Sequence, residues 1–294
     1  MKSKQYYGFI FLLVVTFLSA CKNTSEEVTI DNQPLVAKEL KDVPYGSSPQ
    51  QVYDIYLPKD RQKTTTKVIV IIHGGGWTSG DKSELQFIVE YLKNTTDAYA
   101  IVNLNYTLAN LAVPPIPMQT NEIAEFITHL KGKQDEYQVK PTFALIGTSA
   151  GAHLSMLYGY KFDANRDVKV ICNVVGPTDF LHESYLNTSE RETQNLIQNV
   201  QTLFGIKVQA NPQFYQSISP LYWVTAEAPA TISFYGGNDL LVPEQQGEVL
   251  KDKLDNFQVT NAYYLYPVEG HGWGSPNFED TFDKITDFLK NNFD

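Results

Sequence analysis

The chain has 294 residues, enough for one large α/β domain or two small ones, and 43% hydrophobic with 19% charged content excludes a disordered polypeptide. A net charge of −10 argues against nucleic acid as a partner, because phosphates need a basic surface. The 2 cysteines, Cys21 and Cys172, leave no room for a disulfide framework or a cysteine metal site.

In chain order, Lys2 and Lys4 precede an apolar run, Gly8 to Leu18, too short to span a bilayer comfortably. Leu18-Ser19-Ala20-Cys21 closes it, which is the layout of a secretory signal. These four residues resemble the lipobox of bacterial lipoproteins, where the cysteine becomes the lipidated first residue. The resemblance implies removal of residues 1–20 and an exported bacterial lipoprotein, anchored to a membrane through lipid on Cys21, on the periplasmic or cell-surface side. An ordinary signal peptide or an uncleaved anchor is the plainer alternative. Cys172 lies in an apolar run and reads as an inert core residue. Residues 21–42 are polar and read as a flexible tether, so the domain is expected over 43–294.

Gln51–Leu57 alternates apolar and polar positions and reads as an early strand. Lys67–Ile72 is a β-branched run, the mark of a strand buried on both faces. It leads into His73-Gly74-Gly75-Gly76-Trp77, where glycines leave backbone N–H groups free to meet an anion. Ser83–Lys93 has helical spacing, with Ser83 as N-cap. Ala98–Asn105 reads as the next buried strand, Pro114, Pro115 and Pro117 as a rigid loop, and Asn121–Leu130 as a helix with one buried face. Thr142–Ile146 and Val168–Val175 are further strands. Residues 180–225 break the rhythm and are expected to form a partial lid over the strands' carboxyl ends. Thr231–Phe234 and Asn261–Tyr266 then read as strands, Pro243–Phe257 and Phe278–Phe293 as amphipathic helices. The alternation predicts an α/β domain: a mostly parallel sheet with helices on both faces.

Within that frame, Gly147-Thr148-Ser149-Ala150-Gly151 stands between a strand and a helix, the pattern of a nucleophile elbow. A serine hydroxyl needs a general base, and the base an orienting acid, in the chain order Ser, Asp or Glu, His. Of the 5 histidines, His129 reads as a surface residue, His153 as packed beside the sheet and His182 as part of the lid. His271, in Glu269-Gly270-His271-Gly272-Trp273 after the last strand, is the candidate base. Asp239, just past the strand at 231–234, is the candidate acid, with Asp179 as the alternative and Glu269 too close to His271 along the loop. Ala150, Gly75 and Gly76 supply candidate oxyanion amides. Trp77, Trp223 and Trp273 lie in or next to these loops and are candidates for an acyl or aryl pocket, with loop packing as the competing role. No metal and no cofactor is implied.

HGGGW, GTSAGAHLS, GGNDLLVP and EGHGW together resemble the α/β-hydrolase superfamily, in particular bacterial carboxylesterases of the BD-FAE and hormone-sensitive-lipase-like groups. YDIYLP and SPLYWV look like the BD-FAE-type pattern. The resemblance covers roughly residues 43–294. It implies a serine carboxylesterase with Ser149, Asp239 and His271 as triad, acting on small-molecule or polysaccharide-linked esters such as acetyl or feruloyl groups. The long N-terminal cap of many hormone-sensitive-lipase-like enzymes has no room here, so a small lid is expected. The alternatives are an arylformamidase, a peptidase-like amide hydrolase (whose usual propeller domain this sequence does not show), and a non-catalytic binding protein on the same fold.

Overall fold

The computed structural model describes residues 35–293. The expected signal segment, Cys21 and most of the expected tether lie outside the described residues. The chain runs β1 (Lys38–Pro44), β2 (Val52–Leu57), β3 (Val68–Ile72), α1 (Gln86–Thr95), β4 (Ala100–Leu104), α2 (Pro115–Gly132), α3 (Gln134–Tyr137), β5 (Phe143–Thr148) and α4 (Ala150–Leu157). It continues through β6 (Val168–Val174), α5 (Glu183–Leu186), α6 (Arg191–Phe204), α7 (Pro212–Ile218), β7 (Ala230–Gly236), α8 (Gln245–Asn256), β8 (Asn261–Tyr266) and α9 (Asn277–Asn292). The eight strands form one sheet in the order β1-β2-β4-β3-β5-β6-β7-β8. The β1–β2 and β2–β4 pairs are antiparallel and all others parallel. This is the α/β-hydrolase arrangement that the motif order implies.

Period-two alternation divides the core into two layers. Val68, Val70 and Ile72 of β3 face the cluster that takes in Ile123 and Phe126 of α2, Leu154 of α4 and Leu250 of α8. Ile69 and Ile71 face the cluster of Ile88 and Leu92 from α1 with Phe282, Ile285 and Leu289 from α9. Helices therefore cover both faces, which explains why the central strands read as unbroken apolar runs.

Several expectations change. Residues 38–42, expected in the tether, belong to β1, which pairs with β2 through a register shift between Leu40 and Val43. The helix expected to start at Ser83 begins with a 3-10 turn, Lys82–Leu85, capped by Asp81, whose carboxylate accepts from the Ser83 N–H at 2.8 Å. The proline loop is in part the start of α2, with Ile116 breaking the helical path between Pro115 and Pro117. The insertion at 180–225 reaches the loops after β3 and β7: Leu196 borders a cleft with Gly76 and Trp77, and the Thr193 hydroxyl donates to the Leu240 carbonyl. Its α6 is strongly amphipathic and buries Thr193, Leu196, Ile197 and Val200. Leu196, Ile197 and Val200 join the α2/α4 layer, so the insertion thickens one face of the domain.

Candidate active site

The elbow forms because two glycines let β3, β5 and α4 meet without side chains between them. A Cβ on Gly147 would sit 2.4 Å from Ala152 Cα, and one on Gly151 would sit 2.2 Å from the Ile72 carbonyl oxygen. Between them Ser149 adopts φ 52 and ψ −118, outside the regions where side-chain-bearing residues rest without strain. Its own N–H is held by the Val174 carbonyl at 2.8 Å. The hydroxyl is thereby presented, partly exposed, at the N-terminus of α4.

The expected partners converge on it. The Ser149 hydroxyl donates to His271 Nε2 at 2.9 Å, and His271 Nδ1–H donates to Asp239 Oδ2 at 2.7 Å. The Asp239 side chain is fully buried and that of His271 is 25% exposed. The other Asp239 oxygen accepts the N–H groups of Leu241 at 2.8 Å and Val242 at 2.9 Å, which fixes the carboxylate plane. An acceptor-only carboxylate demands a proton on Nδ1, so Nε2 is left with its lone pair toward serine. Asp179 is elsewhere: it accepts from the Leu181 N–H at 2.8 Å, and burial pushes its carboxyl up. Glu269 accepts from Asn277.

The amides follow from peptide planarity. In a trans peptide the N–H points opposite to the preceding carbonyl. The Gly74 carbonyl accepts from His73 Nδ1–H at 2.8 Å and from the Tyr106 hydroxyl at 3.2 Å, which turns the Gly75 N–H the other way. The Gly75 carbonyl accepts from the N–H of Thr78 at 3.2 Å and of Ser79 at 3.0 Å and from the Ser79 hydroxyl at 2.8 Å, which does the same for Gly76. The Ser149 carbonyl accepts from the His153 N–H at 3.0 Å, and the Ala150 N–H, first in its helix, has no intrahelical acceptor. Gly75 and Gly76 line the cavity that holds Ser149 and His271. His73, stacked on Tyr106 at 4.3 Å, is thus part of the machinery that aims these amides. Sequence reasoning missed that role, although His73 stands at the head of the glycine run.

The cavity measures about 360 Å³. Its walls are Leu85, Phe87 and Ile88 from the turn before α1 and α1 itself, Val174 and Val175 after β6, and Trp273, Phe278 and Phe282 from α9 and the loop before it. It is an apolar slot on the α1/α9 face. None of its lining residues comes from 180–225. The insertion instead borders a separate polar cleft of about 490 Å³ beside Asp239, with His182, Glu183 and Ser184.

Of the three tryptophans, Trp273 lines the cavity and donates its N–H to Thr281 at 2.9 Å. Trp77 is corrected to a core residue: it is 4% exposed, donates to His153 Nδ1 at 3.3 Å and lies 6.0 Å from Phe180 on the opposite face of the sheet. Its carbonyl accepts from Ala109 and Gln119, so it anchors the far end of the glycine loop. Trp223 is also corrected. Its ring carries the Lys161 ammonium at 4.1 Å and its N–H donates to the Ser217 carbonyl, outside the cavity. His153 packs beside the sheet as expected, 1% exposed, its Nε2–H donating to the Ile218 carbonyl at 2.8 Å. Burial lowers its pKa to about 4, so it is a neutral structural ring. His129, expected at the surface, is partly buried against the Tyr53 hydroxyl at 3.2 Å. His182 caps α5.

A serine, a histidine and a carboxylate in hydrogen-bonded series, beside two glycine amides on a strand-end loop, can activate a hydroxyl and stabilise an oxyanion. Residues 53–254, more than half of the chain, match the BD-FAE family model. The chain belongs to the BD-FAE family. The matched stretch takes in Ser149 and Asp239 and ends before His271, whose place rests on the hydrogen bonds above. This BD-FAE chain is 23% identical over 246 residues to the esterase LipC of Mycobacterium tuberculosis, covering 78% of this chain and 58% of LipC. It is 27% identical over 172 residues to the kynurenine formamidase of Danio rerio, covering 55% of this chain and 54% of that enzyme. The chain thus spans little more than half the length of these relatives. Among solved structures it is similar to a truncated form of a carbohydrate esterase from gut microbiota, with a TM-score of 0.70 at 21% identity, over 88% of this chain and 100% of that one. That likeness is one of fold.

Proposed function

We propose that the protein is a serine carboxylesterase acting on short-chain or carbohydrate-linked esters of the acetyl or feruloyl type. The observation that carries this reading is His271 bridging the Ser149 hydroxyl at 2.9 Å and the buried Asp239 carboxylate at 2.7 Å beside an apolar cavity. His271 takes the hydroxyl proton as Ser149 attacks the ester carbonyl. The developing oxyanion is met by the amides of Gly75, Gly76 and Ala150. His271 then delivers the proton to the leaving alcohol, and water enters by the same route to release the acyl-enzyme. Asp239 keeps the imidazole in the required tautomer and balances its charge. The esterase LipC as a relative supports ester chemistry, and the carbohydrate esterase likeness supports a carbohydrate-linked alcohol. We further propose that the protein is exported and tethered through lipid on Cys21.

A second reading, an arylformamidase, is favoured by the likeness to kynurenine formamidase and by the aromatic lining of the cavity. Both readings use the same residues, so substrates decide between them. The test is a panel of p-nitrophenyl esters from acetate upward with methyl ferulate, acetylated xylan and N-formylkynurenine, comparing wild type with Ser149→Ala. We expect hydrolysis of the short esters and a loss of at least ~10³-fold in the variant. Activity on N-formylkynurenine alone would replace the esterase by the formamidase, and a variant as fast as wild type would sink both.

A further inference from the structure

Ser149 is not the only cavity residue with a left-handed backbone. Val175, immediately after β6, has φ 50. Glycine occupies that region freely, whereas a β-branched residue meets its own backbone there. Val175 is the single β-branched residue with positive φ among the described residues.

The surroundings impose this conformation from both sides. The peptide joining Val174 and Val175 donates its N–H to the Phe234 carbonyl at 2.9 Å, while its carbonyl accepts the nucleophile's N–H at 2.8 Å. One residue later the Gly176 N–H donates to Asn173 Oδ1 at 2.9 Å, and the Gly176 carbonyl accepts from the Tyr235 hydroxyl at 2.6 Å. The turn has little freedom except at Val175. Glycine stands at 176, where a Cβ would come within 2.5 Å of Asn173 Oδ1, and valine stands at 175, where the backbone alone favours glycine. The isopropyl group is therefore held in place against backbone preference, and it lines the cavity of Ser149 at 3% exposure.

The side of the substrate it meets follows from the proposed esterase chemistry, on which this inference rests. His271 must protonate the leaving oxygen, so the alcohol lies against the quarter-exposed imidazole. The substituent on the other side of the carbonyl carbon is left the apolar lining of the cavity, and Val175 is next in chain to Val174, whose carbonyl holds the Ser149 N–H. We propose that Val175 is the specificity-determining residue that limits the length of the acyl chain, its side chain closing the cavity beside the nucleophile.

The test measures kcat/KM for p-nitrophenyl acetate, butyrate, hexanoate and octanoate, and for alkyl acetates of increasing alcohol length, in wild type, Val175→Ala and Val175→Gly. The inference expects wild type to decline beyond butyrate. It expects the hexanoate-to-acetate ratio to rise at least ~10-fold in the glycine variant and less in the alanine variant, with the alkyl acetate order unchanged. A thermal melt establishes that each variant is folded, and Val175→Ala, which keeps the Cβ, carries the test if the glycine variant is not. An active wild type whose variants keep the same ratio, slow on all esters alike, or shift along the alcohol series overturns the role of Val175 and leaves the esterase reading standing. A wild type inactive on every ester overturns both.

Discussion

His153 and His271 are two imidazoles in one loop-and-helix assembly, and their neighbours give them opposite work. His271 faces a carboxylate and a hydroxyl at the mouth of a cavity. His153 faces an indole N–H and a carbonyl inside the core, and burial lowers its pKa from 6.5 to about 4. Between those two values the unfolded chain binds a proton that the native state refuses. Its stabilising contribution is therefore complete above pH 6.5 and is lost as the pH falls toward 4, on the order of 3 kcal/mol. We expect the Tm of wild type to fall across that window, and His153→Gln, which can still accept from Trp77 and donate to Ile218, to fall less. Melts from pH 7 to 4 check it, and parallel curves would refute the assignment. His73 is lowered by burial too, so some slope persists in the variant. At this scale the hydrogen-bonded series of Ser149, His271 and Asp239 was legible because each member follows a strand in a loop marked by glycine. The direction of a tryptophan was not. Trp77 and Trp273 each follow a glycine in a strand-end loop beside a triad or oxyanion residue, yet one turns into the α2/α4 layer and the other into the cavity, a choice made by neighbours distant in sequence.

Among the elements, β1 shows best what polarity conceals. Lys38–Pro44 has no buried residue, so it carries no apolar alternation and reads as tether. Charge adds to what its ladder with β2 and the half-buried Leu40 and Val43 supply. Asp54 of β2 accepts from the Asp42 N–H at 2.9 Å, from Lys82 at 2.8 Å and from Lys41 at 3.2 Å. The side chains of Lys82 and Asp54 are only 10% and 7% exposed, so this is a nearly buried pair that fastens the sheet edge to the turn before α1. Removing one partner of such a pair strands the other. Asp42, well exposed, can offset part of the loss. Asp54→Asn is expected to cost about 2 kcal/mol, read from urea unfolding. Because Leu85 and Ile88 follow Lys82 into the cavity wall, KM for short esters should rise as well. A variant as stable as wild type would mean that the pair is idle. The proline run misled for a related reason: Pro117 follows the break at Ile116 and opens the regular part of α2, where a missing N–H is tolerated.

For the whole molecule, the two faces of the sheet divide the labour. An insertion after a strand's carboxyl end suggested a cover for the site, and the insertion does border the loops of Gly76 and Asp239; helix amphipathicity shows only that a face is buried, and which layer it joins depends on the order of strands. Here α6 joins the α2/α4 layer while the cavity opens between α1 and α9. The strand order itself was not legible, since local pattern says little about the two antiparallel pairs at one edge. Lipidation belongs to this scale because it would set where the acidic domain works. Cys21→Ala is expected to abolish incorporation of labelled fatty acid and move the protein from the membrane to the soluble fraction. An unchanged distribution would reject the anchor.

The hydrogen bond between Ser149 and His271 joins residues 122 apart in sequence. A growing chain that has reached residue 270 already possesses the elbow, the glycine loop and the acid, but not the base. On the proposed esterase reading, the base is thus the last of these groups to be made, with the loop after β8. Until then a nascent polypeptide carries an unactivated serine. A serine-directed phosphonate applied to stalled chains of graded length would mark only those long enough for the imidazole to fold into place, making the reagent a clock for completion of the domain.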